Sequence, residues 1–510
     1  MKSKYRIMFV GMLLFSITFS LTSCMEKFLE EEVYDFISPN NFYKKESHAV
    51  AAVSAIYHRI ASNTDWDNSF HRAALMISDY PAESSSAQLS TVPYRVEFDT
   101  YNWKVDTDGI YYVWRFFYQT IFLANTAIKY IPDITEGNPE NLKRLEGEAR
   151  FLRALMYLYL VRLYENVPLI TDPENGGDMF PSNEGTTDAV FELIISDFKF
   201  AEANLKDVYE AVNVGRATSG AAKTFLAKTY LTLAGYPWEK TEYYAQAATK
   251  CEEIINSGLY KLLDVYANNF IEAFEHNNEY IFDVEYNTQF NISNWPNMFG
   301  ISGQNPSKIP GWSSYGGTKN FFDDMIAIND SAVDKRFKTN FIIEFIDVND
   351  ENNKKMKWGV DYDLGKTMYH TWKYIDPNET GTDSRSSLNV HLSRYSDVLL
   401  MHSEAVNNAT GTAGTRDKYY GINLVRERAG LAPLANLDKE AFNSSLIWER
   451  VVELCYEGHL WYDYKRMNCM EERALKKGIN IGTDKKRYVY PIPKNEMDLN
   501  RNLVQHPSWK

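Results

Sequence analysis

The residues best placed to do acid–base chemistry are Glu449, Glu453 and Glu457, spaced at i, i+4 and i+8. On a helix that spacing puts three carboxylates on one face. Such a row could act as general acid and base, but like charges four residues apart repel, so cations must sit beside them. Arg426, Arg428, Arg450 and Arg466 are near in sequence, and a structural ion-pair network is the expected use of the row. The nine histidines give neither His-Glu-x-x-His nor any other close metal spacing. No Walker loop, Gly-x-Gly-x-x-Gly turn or Gly-x-Ser-x-Gly elbow occurs. No metal, cofactor or catalytic residue is expected.

A second kind of chemistry needs ring faces and amides. Residues 287–319 are crowded with Asn, Gly, Ser and Pro, carry only Lys308 and Lys319 as charges, and hold Phe290, Trp295, Phe299, Trp312 and Tyr315. A sugar has an apolar C–H face that a ring can cover and a hydroxyl rim that Asn, Gln and Ser can serve. A glycosidase needs two opposed carboxylates, and this stretch contains none. The candidate ligand contacts are Trp295, Trp312 and Tyr315, with Trp66 and Trp103 in the Asn-, Ser- and Thr-rich segments that flank the early helices. The alternative is that these rings pack a satellite core beneath the loop. If each ring contributes about 0.5–1.5 kcal/mol beyond its buried area, two or three of them make a millimolar to micromolar site.

The N-terminus carries export chemistry. Lys2, Lys4 and Arg6 precede an apolar run from Ile7 to Leu21, and Leu21-Thr22-Ser23-Cys24 closes it. This has the form of a signal peptide over 1–23 that ends in a lipobox, with Cys24 as the acylated first residue of the mature chain. The run is short for a membrane span. Cys251, Cys455 and Cys469 remain, an odd number that cannot make a full disulfide framework, and small buried residues are their expected role.

The elements that must position these groups read as mostly helical. Leu142, Leu145, Ala149, Leu152, Met156, Tyr159 and Leu163 recur every three or four residues and predict a helix over 139–165. It forms an antiparallel hairpin with a helix over 109–131, stopped by Pro132. Further helices are expected at 41–62, 187–206, 217–234 and 241–257, the last ended by Gly258. Ala154-x-x-Tyr157-Leu-x-Leu160 is echoed by Ala227-x-x-Tyr230-Leu-x-Leu233, 73 residues on, about two tetratricopeptide-like repeats. Strands are predicted at 280–286, 341–348 and 368–374, and helices resume at 394–409, 415–429, 438–457 and 460–468. The chain has 510 residues, 45% of them hydrophobic and 15% aromatic, enough for a sizeable core. Its formal charge of −14, with no basic tract, speaks against nucleic acid as a partner.

Six segments together resemble the SusD/RagB family of Bacteroidetes outer-membrane lipoproteins. They are LEGEARFLRALMYLYLVRLYENVPLI (145–170), GRATSGAAKTFLAKTYLTLA (215–234), RYSDVLLMHSEAVN (394–407), INLVRERAGL (422–431), ERVVELCYEGHLWYDYKRM (449–467) and YVYPIPKNEMDLNRNLVQHP (488–507). The resemblance implies a mainly α fold of tetratricopeptide-like hairpins with an irregular, partly β, loop-rich ligand-binding region. It divides the mature chain into 24–260, a loop-rich insertion at 261–393, and 394–510. It further implies a surface-exposed, lipid-anchored protein of the outer membrane that captures glycan, or peptide in the RagB branch, as lid of a SusC-like TonB-dependent transporter. Enzyme activity is not implied, and a surface glycoside hydrolase is the remaining alternative. Leu460 stands where the family commonly has Arg, and Gln505-His-Pro-Ser-Trp509 replaces the usual Gln-Asn-Pro-Gly-Tyr. Glu26 and Glu30–Glu32 loosely resemble the surface-export signal of such lipoproteins. Family ligand residues lie on loops that do not align, so none is carried over.

Overall fold

Asn138 opens a long helix by accepting hydrogen bonds from the backbone N–H groups of Glu140 and Asn141 at 2.8 and 3.3 Å, with Pro139 in the first turn. The computed structural model describes residues 42–62, 69–70, 75–87, 90–174, 179–289, 291–362, 368–378, 386–411 and 413–510. The leader, Cys24, Glu26, Glu30–Glu32, Trp66 and Phe290 lie outside the described residues. Lys45–Lys510 form one unit, and of the short unit before it only 42–44 are described.

The N-terminal helices are α1 (Glu46–Ala61), the short α2 (Met76–Asp79) and α3 (Pro93–Asp99), then α4 (Asp108–Tyr130), α5 (Pro139–Tyr164), α6 (Thr187–Asn204), α7 (Ser219–Ala234) and α8 (Tyr243–Ser257). From α4 to α8 each packs on the next, and α1 lies across α4 and α5. Gly258, at φ 68°, closes α8 as expected. The two echoed motifs lie in α5 and α7, alternate members of the stack. Ala154 and Ala227 are both fully buried, while Tyr157 donates to the Ile170 carbonyl at 2.8 Å and Tyr230 stacks on Tyr243.

The stack does not stop at α8, because α12 (Tyr395–Asn408) packs directly on it, and α13 (Tyr419–Ala429) and α14 (Lys439–Leu454) pack on α12. The intervening chain leaves the helices and returns. Its stem is an antiparallel ribbon of β2 (Tyr280–Val284) and β7 (Val390–Arg394), in which Asp283 faces His391 and Tyr280 faces Arg394. Within the excursion, β3 (Gly316–Thr318) and β6 (Met368–Tyr369) form a small sheet with β1 (Ser85–Ser86) of the N-terminal part, in the order β1-β3-β6, and β4 (Glu344–Ile346) pairs with β5 (Lys355–Lys357). Its helices are α9 (Trp295–Phe299), α10 (Lys319–Asn329) and α11 (Phe337–Asn340). After α14 come α15 (Leu460–Arg466), α16 (Met470–Lys477) and α17 (Lys494–Leu499).

The mainly α class and the helical hairpins are as expected, with helix ends shifted by a few residues. The strand expected over 368–374 shortens to β6, and β7 and α10 were not anticipated. All five residues of β7 are buried, so it lacks the alternation that marks a half-buried strand. Cys251, Cys455 and Cys469 are free thiols, the first two buried. Among the described residues no helix is long and apolar enough to cross a membrane.

Candidate functional site

The carboxylate row is spent on structure. Glu449, Glu453 and Glu457 are all buried. Arg336 reaches Glu449 at 2.5 Å, Glu453 at 3.2 Å and Asp334 at 2.9 Å. Arg394 reaches Glu457 and Glu279 at 2.7 Å and Glu453 at 3.1 Å. Arg428 pairs with Glu279 and Glu453, Arg426 with Glu449, and Lys373 with Glu457. Five carboxylates thus meet five cations in the interior. Burial pushes the Glu453 carboxyl up, but Arg428, Arg394 and Arg336 outweigh it and hold it far below the usual carboxylate range. Arg394 and Lys373 likewise hold Glu457 down, at about 2. All three carboxylates of the row are held by buried cations, the structural ion-pair network expected of it.

Arg426 and Arg428 play the part expected of them. Arg450 and Arg466 do not: Arg450 serves Asp397 and Asp463 at 2.9 and 2.7 Å, and Arg466 serves Glu404 and Asp463. Arg336, Lys373 and Arg394 replace them, brought by the excursion and by the end of β7. Their distance along the chain hid them from sequence reasoning.

The aromatic candidates separate by burial. Trp295, at the start of α9, is 1% exposed and stacks on Phe299 and Tyr374 at centroid distances of 5.3 and 5.4 Å. Tyr315 is 0% exposed, lies 4.4 Å from Phe299 and 4.9 Å from Tyr80, and shares a hydrogen bond with Ser85. Trp103 is 0% exposed between Tyr101 and Tyr490, under the Arg487 guanidinium. All three rings are enclosed; Trp295 and Tyr315 pack a satellite core beneath the loop, the alternative for the loop rings, and Trp103 packs in another cluster with Phe98, Tyr101 and Tyr490.

Trp312 differs. It is half-buried, in a loop whose Ser302, Gly303, Lys308 and Pro310 are exposed. Two loop segments hold it. The Trp312 N–H donates to the Asn297 carbonyl at 2.6 Å, the Ser313 N–H to Gly300 at 2.8 Å, and the Asn297 amide to Pro310 at 2.8 Å. The segments touch through Gly300 and Gly311; a Cβ on Gly311 would stand 2.1 Å from the Gly300 carbonyl carbon. This fixed, amide- and hydroxyl-rich platform can offer part of one ring and polar rim groups to a ligand.

A cleft of about 460 Å³ beside β2 went unforeseen; Arg216, Thr218, Tyr260, His276, Tyr280 and Glu285 are among its walls. Burial and the neighbouring Asp283 push the Glu285 carboxyl up to about 8. The Asn389 side chain donates to Glu285 at 2.9 Å, while the Asn389 backbone N–H donates to Glu275 at 2.7 Å, so one residue ties the two together. Behind them His391 faces Asp283 at 3.0 Å and the Asn269 carbonyl at 2.6 Å. Burial opposes charge on the imidazole, but Asp283 more than offsets it and raises its pKa. Only a doubly protonated ring can donate to both acceptors.

Two family models match the chain, one described as "SusD family" over residues 278–509, the other as "Starch-binding associating with outer membrane" over 27–231. The chain belongs to the SusD/RagB family. Among SusD-like relatives, protein P25 of Formosa agariphila is 25% identical, covering 96% of each chain. A solved SusD-superfamily structure from Parabacteroides distasonis superposes with a TM-score of 0.78 at 25% identity, over 91% of this chain and 99% of the other. A surface glycan-binding protein A from Bacteroides thetaiotaomicron, solved with laminarihexaose, shares the SusD fold at a TM-score of 0.74 and 20% identity, over 91% of this chain and 99% of the other. The SusD/RagB scaffold here is the helical stack, and the Trp312 platform lies in its excursion.

Proposed function

We propose that this chain is a non-catalytic, surface-exposed glycan-binding lipoprotein of the outer membrane, anchored through Cys24, that serves as lid of a SusC-like TonB-dependent transporter. In this reading the segment 261–393 bears the ligand surface, and 24–260 and 394–510 build the scaffold. The observation that carries it is Trp312, a partly open ring on a platform of amides and hydroxyls, in a family whose relatives include a glycan-binding protein solved with an oligosaccharide. One ring with polar rim groups suits a weak, millimolar to micromolar site, about what nutrient capture and release requires. The charge-locked state of Glu453 and Glu457 supports binding without hydrolysis.

The purified mature protein is expected to migrate more slowly in native gels cast with its polysaccharide, over a panel of plant, host and microbial glycans, and to release no oligosaccharide. Released product would overturn the non-catalytic reading, and retardation by none of the panel would overturn the glycan. In cells, Cys24→Ala is expected to abolish palmitate labelling and membrane retention. Persistent labelling of that variant would defeat the anchor.

A further inference from the structure

A second cleft, larger than the one beside β2, is lined by other parts of the helical stack. It spans about 720 Å³, within the range of small-molecule sites. Its walls come from α1, from α4, from the loop between α5 and α6, and from α17 and the chain after it, and they are mainly apolar: Trp114, Tyr118, Phe122, Phe180 and Leu499 among them. Phe122, Phe180 and Leu499 are 53%, 45% and 69% exposed, a large apolar area to leave in water. Trp114 and Tyr118, one turn apart on α4, have ring centroids 5.1 Å apart and form the aromatic floor.

Glu496 stands in this cleft, half-buried. Among the described residues no Lys, Arg or His lies within ion-pairing distance of it. Burial raises its carboxyl. Two arginines also line the cleft, but neither answers Glu496. Arg59 donates to Gln119 at 2.9 Å and lies 4.4 Å over the Phe116 ring, and Arg115 is exposed at the rim, where water and salt screen it. A partly desolvated carboxylate among aromatic rings is matched by a ligand with a cation on an apolar body: the carboxylate supplies the counter-charge and the rings their negative faces. A neutral sugar would leave the apolar walls poorly covered, and an anion would meet Glu496.

We propose that this cleft binds an amphipathic amine, an alkyl or aryl body bearing one ammonium group seated against Glu496. The site is separate from the Trp312 platform, and its test is independent of glycan binding.

Isothermal titration of the mature protein with octyltrimethylammonium, octanoate and 1-octanol, three probes of one chain length, decides it. The ammonium is expected to bind about tenfold or more tightly than either of the others. Glu496→Gln, nearly isosteric, should abolish that preference, and Phe122→Ala should weaken all three probes. Equal affinities in the unaltered protein would mean a merely greasy cleft and overturn the proposal. Preference for octanoate would mean that Arg59 and Arg115 read the ligand and would overturn it equally, as would no binding at all.

Discussion

Glu453→Gln is expected to destabilise the mature protein by about 3–5 kcal/mol, the usual cost of breaking a buried ion pair from one side. Three guanidiniums, those of Arg336, Arg394 and Arg428, converge on this carboxylate, and all are buried. Without its charge the five cations of the network, these three with Arg426 and Lys373, must share the four carboxylates of Asp334, Glu279, Glu449 and Glu457, leaving one positive charge uncompensated. Equilibrium urea denaturation followed by circular dichroism measures the loss; a change below about 1 kcal/mol would show that water or rearrangement compensates the site. The exposed pair Lys319–Asp323 is the control, since breaking it should cost no more than about 0.5 kcal/mol. The network also has an acid limb. Glu453 and Glu457 titrate below the ordinary glutamate value of about 4.3. Their contribution is therefore complete above that value and is lost as pH falls towards 2. Stability of the unaltered protein should drop steeply through this window, and Glu453→Gln should flatten the drop.

Trp295→Ala and Trp312→Ala should behave as opposites although the two residues share one loop. Trp295 is enclosed by Phe299 and Tyr374, so truncating it leaves a cavity and should cost about 3–5 kcal/mol. Glycan affinity of the protein that remains folded should hardly change. Trp312→Ala removes a ring that is only part-buried, and stability should move by less than it does for Trp295→Ala, by about 1 kcal/mol. Its glycan affinity should fall by about tenfold, from lost ring contact and covered area together. Affinity electrophoresis and thermal unfolding of both variants give the answer. If retardation survives Trp312→Ala, the platform is not the ligand surface; if Trp295→Ala folds as stably as the unaltered chain, the ring cluster is not core.

The different fates of these two tryptophans show where local sequence stops being informative. Both sit in an uncharged, Asn- and Gly-rich stretch, and composition marks the stretch as special without saying which side of each loop faces inward. That is set by Tyr374, and for Tyr315 by Tyr80 and Ser85, partners far along the chain that close over α9 only when the excursion folds back. The same holds for the charges. Three carboxylates on one helical face already demanded cations, and nearby Arg426 and Arg428 were legible as partners; Arg336, Lys373 and Arg394 were not, since the β2–β7 ribbon carries them in.

Helices, their order and their stacked hairpins could be read from the residues alone, because apolar periodicity, caps and helix stops act within a few turns of chain. The six scaffold segments were equally local, and they sufficed for the family. Which rings are core, which cations answer which carboxylates, and where clefts open depended on groups tens to hundreds of residues apart. Burial and ion pairing are properties of that assembled neighbourhood, and so Trp312 is only part-buried while Trp103, Trp295 and Tyr315 are enclosed.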